Sequence, residues 1–211
     1  MARVRKIQRN PTSGRNYYVV DANFLANRYI PIALAPAGNQ RTRIQLCNDW
    51  WDEIDAQLKA DKARVYIPDI CIAETFKVLA KKYYEDRWFP RAVDLNNARS
   101  RLRKVITTAP KTLRLFKRRI SYHDVSTSRD IIISVDRFYE LFHKYQKNVS
   151  LPDLLIVATA KYLLDFFDLP KARLHIITLD RPLWEGTKKL QELPNAYDPT
   201  HAHDAAARVF K

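Results

Sequence analysis

Residues 17–21 read Tyr-Tyr-Val-Val-Asp, so four consecutive apolar side chains lead directly into a carboxylate. A short apolar run of this kind is typical of a strand that is buried on both faces of a parallel sheet. Similar runs follow at 64–67 and 173–178, and residues 120–125 (Ile-Ser-Tyr-His-Asp-Val) alternate as a third strand would. Segments with helical spacing separate them, at 22–29, 41–60, 70–84, 129–145 and 151–167. This alternation predicts an α/β fold with helices on both faces of a parallel sheet.

Carboxylates stand near the predicted strand ends at Asp21, Glu74, Asp153 and Asp180. Because the chemistry of an open α/β sheet lies outside the carboxyl ends of its strands, we expect these four side chains to converge there. Converging carboxylate oxygens bind Mg²⁺ or Mn²⁺. Structural explanations also exist: Asp21 and Asp153 could serve as helix caps, and Asp180 could belong to a turn. Glu74 could simply pair with Lys77. Four separate structural explanations for acids at one edge of the sheet are less favoured than one metal site that explains all four.

The chain is strongly basic, with a net charge of +14. Eleven Lys and Arg residues fall within 86–119, against Asp86 and Asp94 alone. Such an excess favours a polyanionic partner, because cations that contact phosphates release condensed counterions. We interpret 86–119 as a basic helical insertion that carries nucleic acid. Its candidate contact residues are Arg101, Arg103, Lys104, Lys117, Arg118 and Arg119.

Several classes of site are excluded or disfavoured by composition. The chain contains three glycines, too few for a dinucleotide-binding or P-loop motif. Cys47 and Cys71 are not spaced as a zinc pair, and they fit buried apolar positions in a reducing compartment. His201 and His203 have only weak chelate spacing. Without a long apolar stretch we expect no signal peptide, no membrane contact and a cytoplasmic location.

Three regions follow from these patterns. Residues 1–15 form a basic N-terminal arm, residues 16–193 a nuclease domain that includes the 86–119 insertion, and residues 194–211 an irregular C-terminal tail.

Taken in order, the acidic motifs resemble those of the PIN-domain ribonucleases, the family of the VapC toxins. The matching segments are 19–23 (Val-Val-Asp-Ala-Asn), 66–74 with its helical Glu, 151–160 (an Asp that opens an Ala-containing apolar helix) and 177–183 (Ile-Thr-Leu-Asp followed by Leu183). Two departures concern the biological role. The chain is longer than the compact toxins of VapBC-type pairs, and 86–119 is not part of the minimal pattern.

The resemblance implies a three-layer α/β/α sandwich with a parallel sheet of about five strands, and Mg²⁺- or Mn²⁺-dependent cleavage of RNA. We expect Asp21 and Asp153 to be the closest metal ligands, with Glu74 and Asp180 holding a second ion or positioning water. Hydrogen-bonded support for these carboxylates would come from Asn23 and Thr178. An acidic antitoxin and a second copy of the chain are the expected protein partners.

Other functions remain as alternatives. A haloacid-dehalogenase-like phosphatase needs a second Asp at the position of Asn23, and a receiver domain needs an acidic pair that is missing after the first strand. The stronger alternative is a non-catalytic, PIN-like nucleic-acid-binding protein. Such a protein would keep the basic block but would not need all four acids.

Overall fold

The computed structural model describes residues 14–106 and 122–210. The strands in these ranges are β1 (Asn16–Val20), β2 (Ala63–Pro68), β3 (Tyr122–Val125), β4 (Leu174–Ile177) and β5 (Asn195–Tyr197). They form one sheet in the order β3-β2-β1-β4-β5, and every neighbouring pair is parallel. A five-stranded parallel sheet flanked by helices confirms the predicted fold class.

The helices are α1 (Ala22–Asn27), α2 (Asn39–Lys59), α3 (Asp69–Tyr84), α4 (Ala92–Ile106), α5 (Arg129–Lys144), α6 (Leu151–Phe167), α7 (Arg181–Thr187) and α8 (Ala206–Val209). The predicted helices correspond to α1, α2, α3, α5 and α6, with ends that differ by one or two residues, as helix ends commonly do. None of these helices is long and apolar enough to cross a membrane.

Two tyrosines show how the sheet is covered on both faces. The Tyr18 hydroxyl donates to Oε1 of Gln57 on α2 at 2.9 Å. Tyr66 is aligned with Val19, the next residue along β1, and its ring lies 6.2 Å from that of Phe167 on α6. Successive strand residues point to opposite faces, so α2 and α6 cover opposite sides of the sheet. The central strands are therefore sealed from water, which explains their continuous apolar sequence.

The first half of the basic region 86–119 packs into the main core. Phe89 and three residues of α4, Leu95, Ala98 and Leu102, are almost completely buried. Helix α4 packs against α3 and β3, so it covers the β2–β3 side of the sheet rather than standing apart as an insertion. Residues 107–119 and the predicted start of the third strand at 120–121 lie outside the described residues, as do residues 1–13 of the predicted N-terminal arm.

The C-terminal segment, which the sequence suggested to be irregular, supplies the edge strand β5 and helix α8. The indole of Trp50 donates to the Asp204 carbonyl at 2.9 Å, and the indole of Trp184 donates to the Asp204 carboxylate at 2.6 Å. Two buried aromatic side chains thus fix this segment to α2 and α7. The prediction failed because β5 has only three residues and its stabilising contacts come from distant parts of the chain.

A smaller hydrophobic core lies beside the main one, between α5, α6 and α7. Its buried residues include Phe138 and Phe142 of α5, Leu154 and Val157 of α6, and Leu183 of α7. This second core holds the amino-terminal ends of α6 and α7 together. Asp153 and Asp180 are located at those two ends.

Candidate active site

The strand order places a topological switch point at β1. From β1 the chain crosses to β2 and β3 on one side, and later to β4 and β5 on the other side. In open α/β sheets the crevice outside the carboxyl ends of the strands at such a point is the usual ligand site. Asp21 follows β1 directly, and Asp180 follows β4 after Thr178 and Leu179. Two of the predicted acids are therefore positioned at this crevice.

Asp21 is the most constrained of the four acids. Its side chain is only 3% exposed. One carboxylate oxygen accepts the Asn23 backbone N–H at 3.1 Å, and the other accepts the Thr178 hydroxyl at 3.1 Å and the Leu179 backbone N–H at 3.2 Å. Burial raises the pKa of Asp21, and Asp180 raises it further, while these hydrogen bonds oppose the rise. The carboxylate is held in one orientation before any ligand arrives.

Thr178 connects two of the acids. Its hydroxyl donates to Asp21 and accepts the backbone N–H of Asp180 at 2.9 Å, and its own backbone N–H donates to the Tyr197 carbonyl on β5 at 3.0 Å. The C-terminal strand therefore supports the crevice indirectly. Asn23, the other predicted supporting residue, contacts Asp21 through its backbone, and its side chain is exposed.

Asp153 and Glu74 are half-buried and complete the acidic set. Burial raises the pKa of Asp153 to about 7, and Asp180, Asp21 and Glu74 raise it as well, against a hydrogen bond from Ser150. Burial also raises the pKa of Glu74, Asp21 adds to this effect, and Lys77 lowers it. Because each acid acts on others through its charge, the fold brings the four carboxylates into one electrostatic environment, although four separate elements carry them.

The structural roles considered for these acids are also present. Asp21 and Asp180 are the N-caps of α1 and α7, and Asp153 is bonded to Ser150, the N-cap of α6. Moreover, the described residues contain no group of three or more His, Cys, Asp or Glu side chains already arranged to hold a metal ion. The geometry thus provides an acidic crevice in which two of the four carboxylates also serve as helix N-caps.

Cations lie beside Glu74 at this crevice. A small cavity beside Glu74 is lined by Asn23, Lys77 and Lys81, and both lysines are exposed on the same face of α3. On the α7 side, Glu185 pairs with both Arg181 and Lys147. Sequence reasoning considered Lys77 only as a pairing partner of Glu74 and did not assign these cations to the site. Lys77 and Lys81 had a usable signal, because they follow Glu74 at helical spacings of three and seven.

Part of the predicted nucleic-acid surface can be located. Arg101 lies 5.8 Å from the centre of the Tyr29 ring, and Arg103 lies 5.6 Å from that of Phe76 on α3. These two side chains and Lys104 are exposed on α4. Lys117, Arg118 and Arg119 lie outside the described residues. The located part of the basic surface is next to the helix that carries Glu74.

The histidines do not enter the crevice geometry. His175 is half-buried on β4, where burial lowers its pKa to about 4. The rings of His201 and His203 are 5.3 Å apart near the C-terminus, and His201 also packs on Trp184. These contacts fit packing roles.

Comparison with known proteins identifies fold relatives. Neither protein-family models nor curated proteins give a match to the chain. Among solved structures, FitAcB from Neisseria gonorrhoeae matches with a TM-score of 0.51 and 18% identity over 87% of this chain and 99% of that chain. FitAB bound to an IR36 DNA fragment matches with a TM-score of 0.51 and 15% identity, over 87% of this chain and 96% of that chain. VapBC2 from Rickettsia felis, bound to a DNA fragment from their promoter, matches with a TM-score of 0.49 and 12% identity, over 86% of this chain and 98% of that chain. At these identities the likeness is one of fold.

Proposed function

We propose that this chain is a PIN-like ribonuclease that hydrolyses RNA phosphodiester bonds with Mg²⁺ or Mn²⁺ held by Asp21, Glu74, Asp153 and Asp180. One observation carries the proposal. Burial raises the pKa of Asp153, and three other carboxylates, which come from three other elements of the fold, raise it further. Such mutual repulsion destabilises a folded chain unless a cation offsets it, and converging acids with raised pKa values are typical of functional sites.

The donor set fits a hard divalent cation. All four side chains offer carboxylate oxygens, which Mg²⁺ and Mn²⁺ prefer. Asp153 and Asp180 each use one carboxylate oxygen for a helix-end hydrogen bond, while the other accepts none among the described residues. When bound, the ion would lower the pKa of a water molecule and offset charge on the scissile phosphate.

The residues of the chain have separate roles in this proposal. Asp21 is held in a fixed orientation by its three hydrogen bonds, so we assign it as the main ligand together with Asp153. Glu74 and Asp180 hold a second ion or orient water. Thr178 positions Asp21 and Asp180 relative to each other through its hydroxyl. Residues that form hydrogen bonds to metal ligands commonly orient them in this way.

RNA is the proposed substrate because the crevice is bordered by exposed cations. Lys77 and Lys81 line the cavity beside Glu74, and Arg101, Arg103 and Lys104 extend the positive surface along α4. Phosphate contacts by these side chains would position the strand, while the acids carry the chemistry.

We also propose a protein partner. The fold neighbours were solved as assemblies named FitAcB, FitAB and VapBC2. By analogy with the VapC toxins, an acidic antitoxin that covers the basic surface is the partner we propose for this chain, and a homodimer is the assembly. Fold analogy gives this part its only support.

A non-catalytic nucleic-acid-binding protein is the second candidate. Asp21 and Asp180 favour this candidate, because both are helix N-caps. Capping stabilises a helix without any metal, so the two acids also have a purely structural role. The two candidates differ in their dependence on metal, because only a nuclease requires a divalent cation for its activity.

The test is an RNA cleavage assay. Purified protein is incubated with labelled single-stranded and structured RNA in Mn²⁺, Mg²⁺ or EDTA, next to the Asp21→Asn and Asp153→Asn variants. The matched control is Asp165→Asn, an exposed acid of α6 that pairs with Lys161. The nuclease predicts metal-dependent cutting by the wild type and the control, and none by the two variants. RNA binding without cutting in any metal supports the second candidate.

A further inference from the structure

A second cavity opens at the corner between α5 and α6, with a volume of about 320 Å³. Its exposed wall is formed by Tyr139 and His143, whose rings are almost parallel, with an angle of 8° and a centroid distance of 6.1 Å. Gln146, Lys147 and Asn148 complete the polar lining.

We propose that this cavity binds an unpaired nucleobase of the RNA strand. The inference rests on the proposed function, because it assigns a base-recognition site to the same substrate. Tyr139 is 57% exposed, so its ring can stack on a base at little cost in desolvation. Proteins that bind single strands combine such aromatic platforms with positive charge. The amides of Gln146 and Asn148 offer both donors and acceptors to a base edge.

The cavity is adjacent to the acidic crevice. Val149 and Leu154 form its apolar floor, and Ser150 and Asp153 lie between them in the sequence. Lys147, on the cavity wall, pairs with Glu185 of α7, and α7 begins directly after Asp180. Helix α6, which presents Asp153, lines the cavity through Leu154, and α7 contacts two lining residues, Lys147 and Phe142. A base held there would belong to a nucleotide close to the scissile phosphate.

The lining favours a base over a phosphate as the occupant. Among the described residues Lys147 is the only lysine or arginine in the lining, and it is already paired with Glu185. A phosphate would need that cation released or a second one added, whereas a neutral planar base needs neither. The floor is rigid, because Phe142 is fully buried and packs directly against Gly186 of α7.

The experiment separates base binding from cleavage. Full-length protein in EDTA is titrated against a short fluorescein-labelled oligoadenylate and against an abasic chain of the same length. Tyr139→Leu and His143→Leu test the platform. The matched control is Tyr84→Leu, because Tyr84 is 65% exposed and also contacts a neighbouring ring, that of Tyr83.

We expect Tyr139→Leu to weaken oligoadenylate binding by about 5- to 100-fold, the range that follows from the loss of one base–aromatic stack. His143→Leu should act in the same direction, and Tyr84→Leu should have no effect. The salt dependence of binding should stay the same, because no phosphate contact is lost. The abasic chain should bind wild type and Tyr139→Leu equally.

Three results would overturn the proposal: oligoadenylate affinity that is unchanged in both cavity variants, an equal loss in Tyr84→Leu, or a loss that persists with the abasic chain. Because nothing is cut in EDTA, a chain without nuclease activity can still pass this test, and an active nuclease can still fail it.

Discussion

Replacement of Asp153 by Asn should stabilise the metal-free fold, although it removes a proposed metal ligand. Burial and three neighbouring carboxylates raise the pKa of Asp153 from 3.8 to about 7. Ionisation of this carboxylate therefore costs free energy in the folded chain, whereas it carries no such cost in the unfolded chain. Asn at this position has no charge, and its amide oxygen can still accept the hydrogen bond from Ser150.

The magnitude follows from the size of the pKa change. A rise from 3.8 to about 7 corresponds to a ceiling of about 4 kcal/mol at 1.36 kcal/mol per pH unit. Asp153 is only half-buried, so solvent screening should reduce the gain to about 1–3 kcal/mol. The raised pKa fixes the sign of the pH dependence. The wild type has no penalty below the unfolded pKa, and it loses stability as the pH rises towards about 7.

Urea denaturation in EDTA, repeated from about pH 4 to about pH 8, measures this difference. The advantage of Asp153→Asn should be near zero at the acidic end and reach its full value above about pH 7. Asp165→Asn, on the same helix but exposed, should show no such pH-dependent gain. Added Mg²⁺ should stabilise the wild type by mass action and leave Asp153→Asn unchanged. A variant that is less stable than the wild type at alkaline pH, or a difference that is constant with pH, would refute the reasoning.

Three further predictions concern other parts of the molecule. Asp180→Asn should reduce RNA cleavage less than Asp21→Asn, because a neutral amide oxygen can still support a second ion or its water, whereas Asp21 is assigned as a main ligand; an equal loss in a metal titration would make Asp180 a main ligand. Gly186→Ala should cost up to about 2 kcal/mol in urea denaturation, since overpacking of about 1–3 kcal/mol is opposed by a helix gain of about 1 kcal/mol. The added Cβ would lie 2.2 Å from Cε1 of Phe142, and an unchanged midpoint would mean that this ring moves freely. Replacing either basic triplet by Ala should weaken RNA binding and make its salt slope shallower by about 0.7 for each lost phosphate contact; unchanged affinity would indicate a face for a protein partner. The triplets are Arg101, Arg103 and Lys104, and Lys117, Arg118 and Arg119.

The central part of the fold could be predicted because its signals are local. Most of the run at 17–20 and the middle of the apolar helix at 151–167 are buried, so their composition indicates where they lie. The parallel sheet of about five strands followed from the resemblance and from the alternation of strands and helices, whereas the strand order was not predicted. The convergence of the four acids required only that each one follows a strand or begins a helix at the same edge.

The parts that escaped prediction depend on distant contacts. Strand β5 is short, and its segment is fixed by indole hydrogen bonds from Trp50 and Trp184 to Asp204. The charges of 86–119 suggested a basic helical insertion, and its buried stripe of Leu95 and Leu102, at a spacing of seven, was not recognised. In each case the strongest local signal indicated a surface, while a weaker apolar pattern determined the packing.

The caps and the proposed metal site need not compete for the same acids. A hydrogen bond from Leu183 occupies one oxygen of Asp180, and Ser150 occupies one oxygen of Asp153, so each cap fixes the direction in which the second oxygen points. The amino-terminal ends of α1, α6 and α7 lie at this edge, and their partial positive charges favour the ionised carboxylates. Burial at the same edge opposes ionisation, most strongly for Asp21 and Asp153. The helix ends thus orient the acids, and burial leaves their negative charge only partly compensated. Under this condition the binding of a divalent cation is most favourable in free energy.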